Sequence, residues 1–193
     1  MRHERQRIAM ATLFALGIAL ASSGLCADDK GPPQTPAVKD FTKRVRDYLK
    51  TRQPLNKDVP SLKPTKTSEN IVAHQKALAE SLRAARKDAQ QGDIFTPEIA
   101  TEFRGLIAET MKGPEAPRIR KSLKHAEPVV LTLHVNDSYP AKVPLQSTPP
   151  TLLQNLPKLP KELDYRLIGR SLALRDCDAN IIIDFIPNAI PIA

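Results

Sequence analysis

The chain has 193 residues and a formal net charge of +8, from 29 Lys and Arg against 21 Asp and Glu. Trp is absent and aromatic residues make up 4%, which argues against a platform for stacking bases or sugar rings. The few glycines never occur as G-x-G, and C-x-x-C, G-x-S-x-G and S-x-x-K are all missing, so the dinucleotide fingerprint, the phosphate loop, thioredoxin-like redox, thiolate zinc and two common serine-nucleophile arrangements have no residues to carry them.

Residues 1–27 read as a secretory signal peptide. Arg2, Arg5 and Arg7 form a positive head, Ile8 to Ala21 an uncharged apolar run, and Ala21-Ser22-Ser23-Gly24 a small-residue patch before Leu25-Cys26-Ala27 and Asp28-Asp29. The run is shorter than the roughly 20 apolar residues a transmembrane span needs. No later segment replaces it, because Asp184, Pro187 and Pro191 interrupt Ala179–Ala193. There is no Arg-Arg pair near the start, so the general export route fits. Cys26 follows Leu25, where lipid attachment favours a small residue, so cleavage is expected after Ala27 or a few residues earlier. The reading is therefore an exported protein, periplasmic or extracellular, with an Ala-rich leader of bacterial type. Without the leader Cys177 is the single cysteine, and the fold has no internal disulfide. Export excludes chromosomal nucleic acid as a partner. The remaining basic surplus suits anionic lipid head groups, anionic polymers or acidic envelope proteins, although an ordinary solvated lysine-rich surface gives the same surplus.

Residues 28–37 are polar and Pro-rich and read as a flexible leader. Helical spacing of Val38, Phe41, Val45 and Tyr48-Leu49 predicts a helix over 38–52, and Pro54, Pro60 and Pro64 predict an extended linker over 53–67. A second helix is predicted over 68–91, capped by Thr67 or Ser68, with Ile71, Leu78, Leu82, Ala85 and Ala89 on its stripe and Gly92 as its stop. Thr96 and Pro97 open a third, over 97–112, whose buried face carries Ile99, Phe103, Leu106, Ile107 and Met111. A shorter one covers 116–124.

At Pro128 the period changes to two. Val129, Leu131, Leu133 and Val135 predict a strand, Asn136-Asp137-Ser138 a turn, and Ala141–Gln146 an edge partner limited by Pro140 and Pro144. A short helical turn is expected at Thr151–Asn155. Asp164–Ile168 and Ser171–Asp176 then read as a hairpin about Gly169-Arg170, pairing Leu167 with Leu172, Tyr165 with Leu174, Arg166 with Ala173 and Asp164 with Arg175. A four-residue loop leads to Ile181–Ile186, with Leu174 opposite Ile183, Leu172 opposite Phe185 and Ala173 opposite Asp184. That register gives one apolar face (Tyr165, Leu167, Leu172, Leu174, Ile183, Phe185) and one charged face (Asp164, Arg166, Arg175, Asp184). The fold class is α+β: three to four N-terminal helices over residues 38–127, packed on a C-terminal antiparallel meander of three to five strands within 128–193, the two parts forming one domain.

Candidate catalytic residues are Asp184, Arg166, His134 and Asp137. Arg166 and Asp184 would flank small Ala173 and hold an acid beside a cation; the alternative is a cross-strand charge ladder. The histidines have no metal-ligand spacing: His74 lies on an apolar stripe and His125 at a helix end. Asp176-Cys177-Asp178-Ala179-Asn180 begins like a calcium loop, but Ile181 and Pro187 stand where Gly and Glu are required. No metal or cofactor is expected. The sequence therefore favours a non-catalytic envelope binding or adaptor module, with Ile181–Ile192 as an edge a partner strand would extend. A small hydrolase and an electrostatic binder of anionic lipid or polymer are the alternatives.

Overall fold

The computed structural model describes residues 34–59, 68–125, 132–139 and 150–191. The predicted signal peptide and the strand candidate Ala141–Gln146 lie outside these residues; of the leader predicted over 28–37, the described end is not flexible chain, because Thr35 caps α1 and Pro36 and Ala37 belong to it. Among the described residues five helices precede a three-stranded antiparallel sheet of order β1-β2-β3, as the α+β reading expects.

Helix α1 spans Pro36–Asp58. Thr35 caps it by accepting the Val38 N–H at 3.2 Å, and Pro36 sits in the first turn, where its missing N–H costs nothing. The helix runs past its predicted end at Arg52 and through Pro54. Pro54 lies in the penultimate turn, and Leu55 and buried Val59 pack on the core beyond it, so tertiary burial overrides the local break. Helix α2 spans Ser68–Ala85 and stops six residues short of the predicted Gln91. Its buried face is His74, Leu78, Ala79 and Leu82, whereas Ile71, expected on the stripe, is 49% exposed. Gly92 is no helix stop; at φ 95° it serves a loop that runs from Arg86 to Phe95. Helix α3, Pro97–Thr110, is capped by Thr96 and buries Ile99, Phe103 and Ile107. Helices α4, Ala116–His125, and α5, Pro150–Leu153, follow.

Strands β1 (Leu163–Ile168) and β2 (Ser171–Asp176) pair in the predicted register, and Gly169 supplies the positive φ, 57°, that the two-residue turn needs. The β2–β3 pairing (β3 is Ile181–Ile186) follows the predicted register only beside the loop, with Asp176 opposite Ile181 and Arg175 opposite Ile182. A bulge then inserts Ile183, and Leu174 faces Asp184, Ala173 faces Phe185 and Leu172 faces Ile186. One extra residue reverses the faces beyond it. Asp184 therefore turns to the helix side of the sheet and Phe185 to the opposite side, the reverse of the sequence expectation.

The helix side carries the main core. Phe41, Phe95, Phe103 and Tyr165 meet there, with Phe41 and Phe103 edge-on at 4.9 Å between ring centres. On the other side Tyr139, Ile168, Ala173 and Ile182 form a smaller cluster against Leu133 and Phe185. Residues 136–139 lie along the outer edge of β3: Asn136 N–H donates to the Ile182 carbonyl (2.8 Å), Ile182 N–H to the Asp137 carbonyl (2.9 Å) and Tyr139 N–H to the Asn180 carbonyl (2.8 Å). The strand predicted over 129–135 is not formed in its described part, residues 132–135; the ladder contact comes at Ser138 instead. The C-terminal apolar run is largely core, and its edge is partly occupied. Ile181, Ile182, Ile183, Ile186, Ala189 and Ile190 are buried and complete the core, and residues 136–139 occupy the edge beside Asn180–Ile182.

The Tyr139 hydroxyl is buried with no hydrogen-bond partner among the described residues. Removing an unpaired buried polar atom relieves its desolvation cost. We expect Tyr139→Phe to leave stability unchanged or raise it by up to about 1 kcal/mol in urea denaturation; a loss of more than about 1 kcal/mol would show that the hydroxyl is engaged.

Candidate functional site

Asp184 is held by the loop between α2 and α3. Its Oδ2 accepts backbone N–H groups from Ile94 and Phe95, both at 2.8 Å, and Gly92 N–H reaches its two oxygens at 3.0 and 3.2 Å. Its Oδ1 also accepts the N–H of Phe185 at 2.7 Å. The residue is 0% exposed. Four backbone donors occupy a fully enclosed carboxylate, so it has neither access to a substrate nor a free lone pair directed at one. Arg166 does not meet it. Arg166 and Asp184 point to opposite sides of the sheet, and the expected pair across Ala173 is replaced by the nest of N–H groups.

Arg166 instead binds Asp164 through Nε at 2.8 Å, and Arg175 grips the same carboxylate at 3.1 and 2.8 Å. Burial would push the Asp164 carboxyl up, but the hydrogen bonds from Arg175 and Arg166 outweigh it and hold it below its usual value. Arg175 also stacks on Tyr139, 5.2 Å from the ring centre. The cross-strand charge cluster is thus Asp164 with Arg166 and Arg175, not the Arg166–Asp184 pair that the sequence offered. Burial raises the thiol of Cys177, and neighbouring Asp164 adds to the effect; its pKa is pushed up to about 11.

His134 and Asp137 do come together. The His134 Nδ1 and Asp137 Oδ2 lie 3.1 Å apart, three residues apart on the turn before the β3 edge. Their side chains are 67% and 55% exposed, so the pair is solvated. The four candidates thus occupy three places: under the helices, on the far side of the sheet, and on an exposed turn. They do not converge.

The densest polar cluster was not among the candidates. Arg52 on α1 donates to Asp176 and Asp178, and the Tyr48 hydroxyl donates to Asp176 at 2.8 Å. Asp176 also accepts the Ala179 N–H at 2.9 Å, which closes the β2–β3 turn. Burial raises the Tyr48 phenol, with the charge of Asp176 adding to it. Burial lowers Arg52, yet its bonds to Asp176 and Asp178 prevail and raise it. Arg86 stands 5.2 Å over the Tyr48 ring and donates to the Ile183 carbonyl and to Asn136 Oδ1, while burial lowers its own pKa. The sequence did carry a sign of this cluster. Arg52 continues the spacing of Val38, Phe41, Val45 and Tyr48, and Asp176 continues that of Leu172 and Leu174, so two opposite charges sit at core positions.

A groove of about 780 Å³ lies between the first turns of α1 and α3, lined by Asp40, Glu98 and Glu102 together with Ala37, Pro97 and Ile99. A second, of about 470 Å³, runs beside the C-terminal half of α1 and is lined by Arg46, Lys50, Lys57 and Glu162. Neither includes Asp184, Arg166, His134 or Asp137. Among the described residues no group of three or more His, Cys, Asp or Glu side chains is placed to hold a metal, and no helix is long and apolar enough to cross a membrane. No protein-family model, curated protein or solved structure matches the chain.

Asp184→Ala leaves several buried N–H groups without an acceptor, at about 1–3 kcal/mol each before relaxation. We expect it to lower stability by about 3 kcal/mol or more in urea denaturation, and a loss below about 1 kcal/mol would refute the anchoring role. The raised thiol gives a second test. With the pKa of Cys177 displaced from 9.0 to about 11, thiolate at pH 8 is about a hundredfold scarcer than in a free cysteine. Alkylation of the folded protein is expected to be slow at pH 8 and to climb steadily toward pH 11. Because the unfolded chain loses this proton first, stability falls as pH rises between these two pKa values. An alkylation rate at pH 8 equal to that of the unfolded chain would contradict the shift.

Proposed function

We propose that the protein is an exported, non-catalytic binding module of the cell envelope, acting through its surface and not through a catalytic cleft. The observation that carries this reading is the engagement of the candidate groups. Asp184 is enclosed by backbone donors, Arg166 is bound to Asp164, which Arg175 also grips, and the His134–Asp137 pair is solvent-exposed and lines neither groove described above. A hydrolase needs a nucleophile or activated water within about 3 Å of its base and an electrophilic donor beside them. Those parts lie on different sides of the sheet here. With most of the C-terminal apolar run inside the core, the helical layer and its charged faces are the surface on which this reading places a partner.

The test is in-cell crosslinking of the tagged chain, followed by mass spectrometry of the recovered envelope fraction. We expect the chain to be recovered with its N-terminus at or a few residues before Asp28, crosslinked to envelope components, and to capture the same set when His134 and Asp137 are both changed to Ala. Hydrolytic activity on an ester or amide panel that disappears in that double variant would overturn the reading in favour of the enzyme.

A further inference from the structure

The exposed face of α1 carries a straight row of cations. Lys39, Lys43, Arg46, Lys50 and Lys57 follow at intervals of four, three, four and seven residues, and all five are exposed. At 100° per residue they fall within about 60° of arc and span about 27 Å along the axis. Gln53 fills the gap in the row, and no acid lies in it. Asp47 flanks it, bridging Lys43 at 3.0 Å and Lys50 at 2.9 Å, and the other acids of the helix, Asp40 and Asp58, lie farther round. The opposite face is the buried one, with Phe41, Val45 and Tyr48 in the core, so the row points directly outward.

We propose that this row of five cations is a docking surface for an anionic phospholipid bilayer. The inference rests on the binding-module reading and names its partner. Three observations select a lipid surface. The row is long and lies along one exposed helix face, with Arg46, Lys50 and Lys57 lining a groove that Glu162 shares, which fits an extended array of negative charge better than a small ligand. Its cations are presented together, and each Lys or Arg near an anionic membrane adds to the attraction. Among the described residues the large exposed hydrophobics are Ile71 and Val72, both on α2, so α1 offers no apolar wedge and would rest on head groups without inserting. Coulombic docking of this kind is screened within about 8 Å at physiological salt, which makes it strongly salt-dependent.

The experiment is sedimentation of the chain, as recovered from cells with its natural N-terminus, with phosphatidylglycerol–phosphatidylcholine vesicles and with phosphatidylcholine vesicles alone. We expect binding to the anionic vesicles only, weakened about tenfold or more between 50 and 300 mM salt. The variant K39Q/R46Q/K57Q, which spares the residues bridged to Asp47, is expected to bind about tenfold more weakly or worse. The control K87Q/K121Q/K158Q loses the same charge elsewhere on the exposed surface and should bind within about threefold of the parent. Circular dichroism and urea midpoints equal to the parent's keep both comparisons interpretable. Equal weakening by both variants would show a net-charge effect and overturn the assignment. So would binding to phosphatidylcholine alone, or equally tight binding to soluble polyphosphate. No binding to anionic vesicles, together with an intact set of crosslinked envelope proteins, would refute the lipid partner while leaving the binding-module reading in place.

Discussion

The architecture depends on one carboxylate. Asp184 projects from β3 into the loop that joins α2 to α3 and accepts N–H groups from Gly92, Ile94 and Phe95. That loop lacks regular structure, and its Ile94 and Phe95 donors are buried. Without an acceptor each would carry the cost of an unpaired buried amide. Asp184 meets this need, and the direction of α3 follows from it, since Phe95 immediately precedes the Thr96 cap. Phe95 then joins Phe41 and Phe103 in the aromatic cluster, so a polar contact and the apolar core are set by the same backbone turn.

The bulge makes this possible. A regular β3 would have shown Asp184 to the side where Arg166 and Arg175 lie, and the α2–α3 loop would have met Phe185. By taking in Ile183 as an extra residue, the strand places two consecutive side chains on the helix side. Ile183 goes to the core and Asp184 to the loop. On the other side Phe185 meets Ile182, Ala173 and Tyr139, so the second apolar cluster arises from the same irregularity.

Which parts were legible in the sequence follows from this. The β1–β2 hairpin was readable to the residue, because a two-residue turn with glycine fixes register and the alternation on both strands agrees with it. The start of α3 was readable from Thr96-Pro97, where cap chemistry is local; α1 carries the same pair at Thr35-Pro36, but the surrounding prolines and polar residues read as leader, and its start was placed at Val38. The ends of α1 and α2 were not. Pro54 stops a helix only if nothing holds the turn beyond it, and Leu55 and Val59 do so through contacts distant in sequence. Gly92 looked like a helix stop because its positive φ is visible in its identity, whereas the carboxylate that calls for that φ lies 92 residues away. The third strand misled for a related reason. Ile181-Ile182-Ile183 has no polar alternation from which a face could be assigned, so loop length alone set the register, and it was right only up to the bulge. As for the candidate site, isolated residue types pointed to Asp184 and Arg166, and the side of the sheet each one faces separated them.

The bond between Arg52 and Asp176 spans 124 residues, and Tyr48 reaches the same carboxylate across 128. Closing so long a loop is slow and entropically costly, and the gain arrives only when both ends are present. A chain emerging from its amino end therefore carries α1 with a guanidinium at a core position and no acid to meet it. The helix cannot settle onto a finished interior until the last strands appear. An α1 docked without the meander would bury that guanidinium unpaired, which is costly. The same long-range link makes the terminal meander a latch, and trimming it back past Asp176 would leave the first helix without its electrostatic seat.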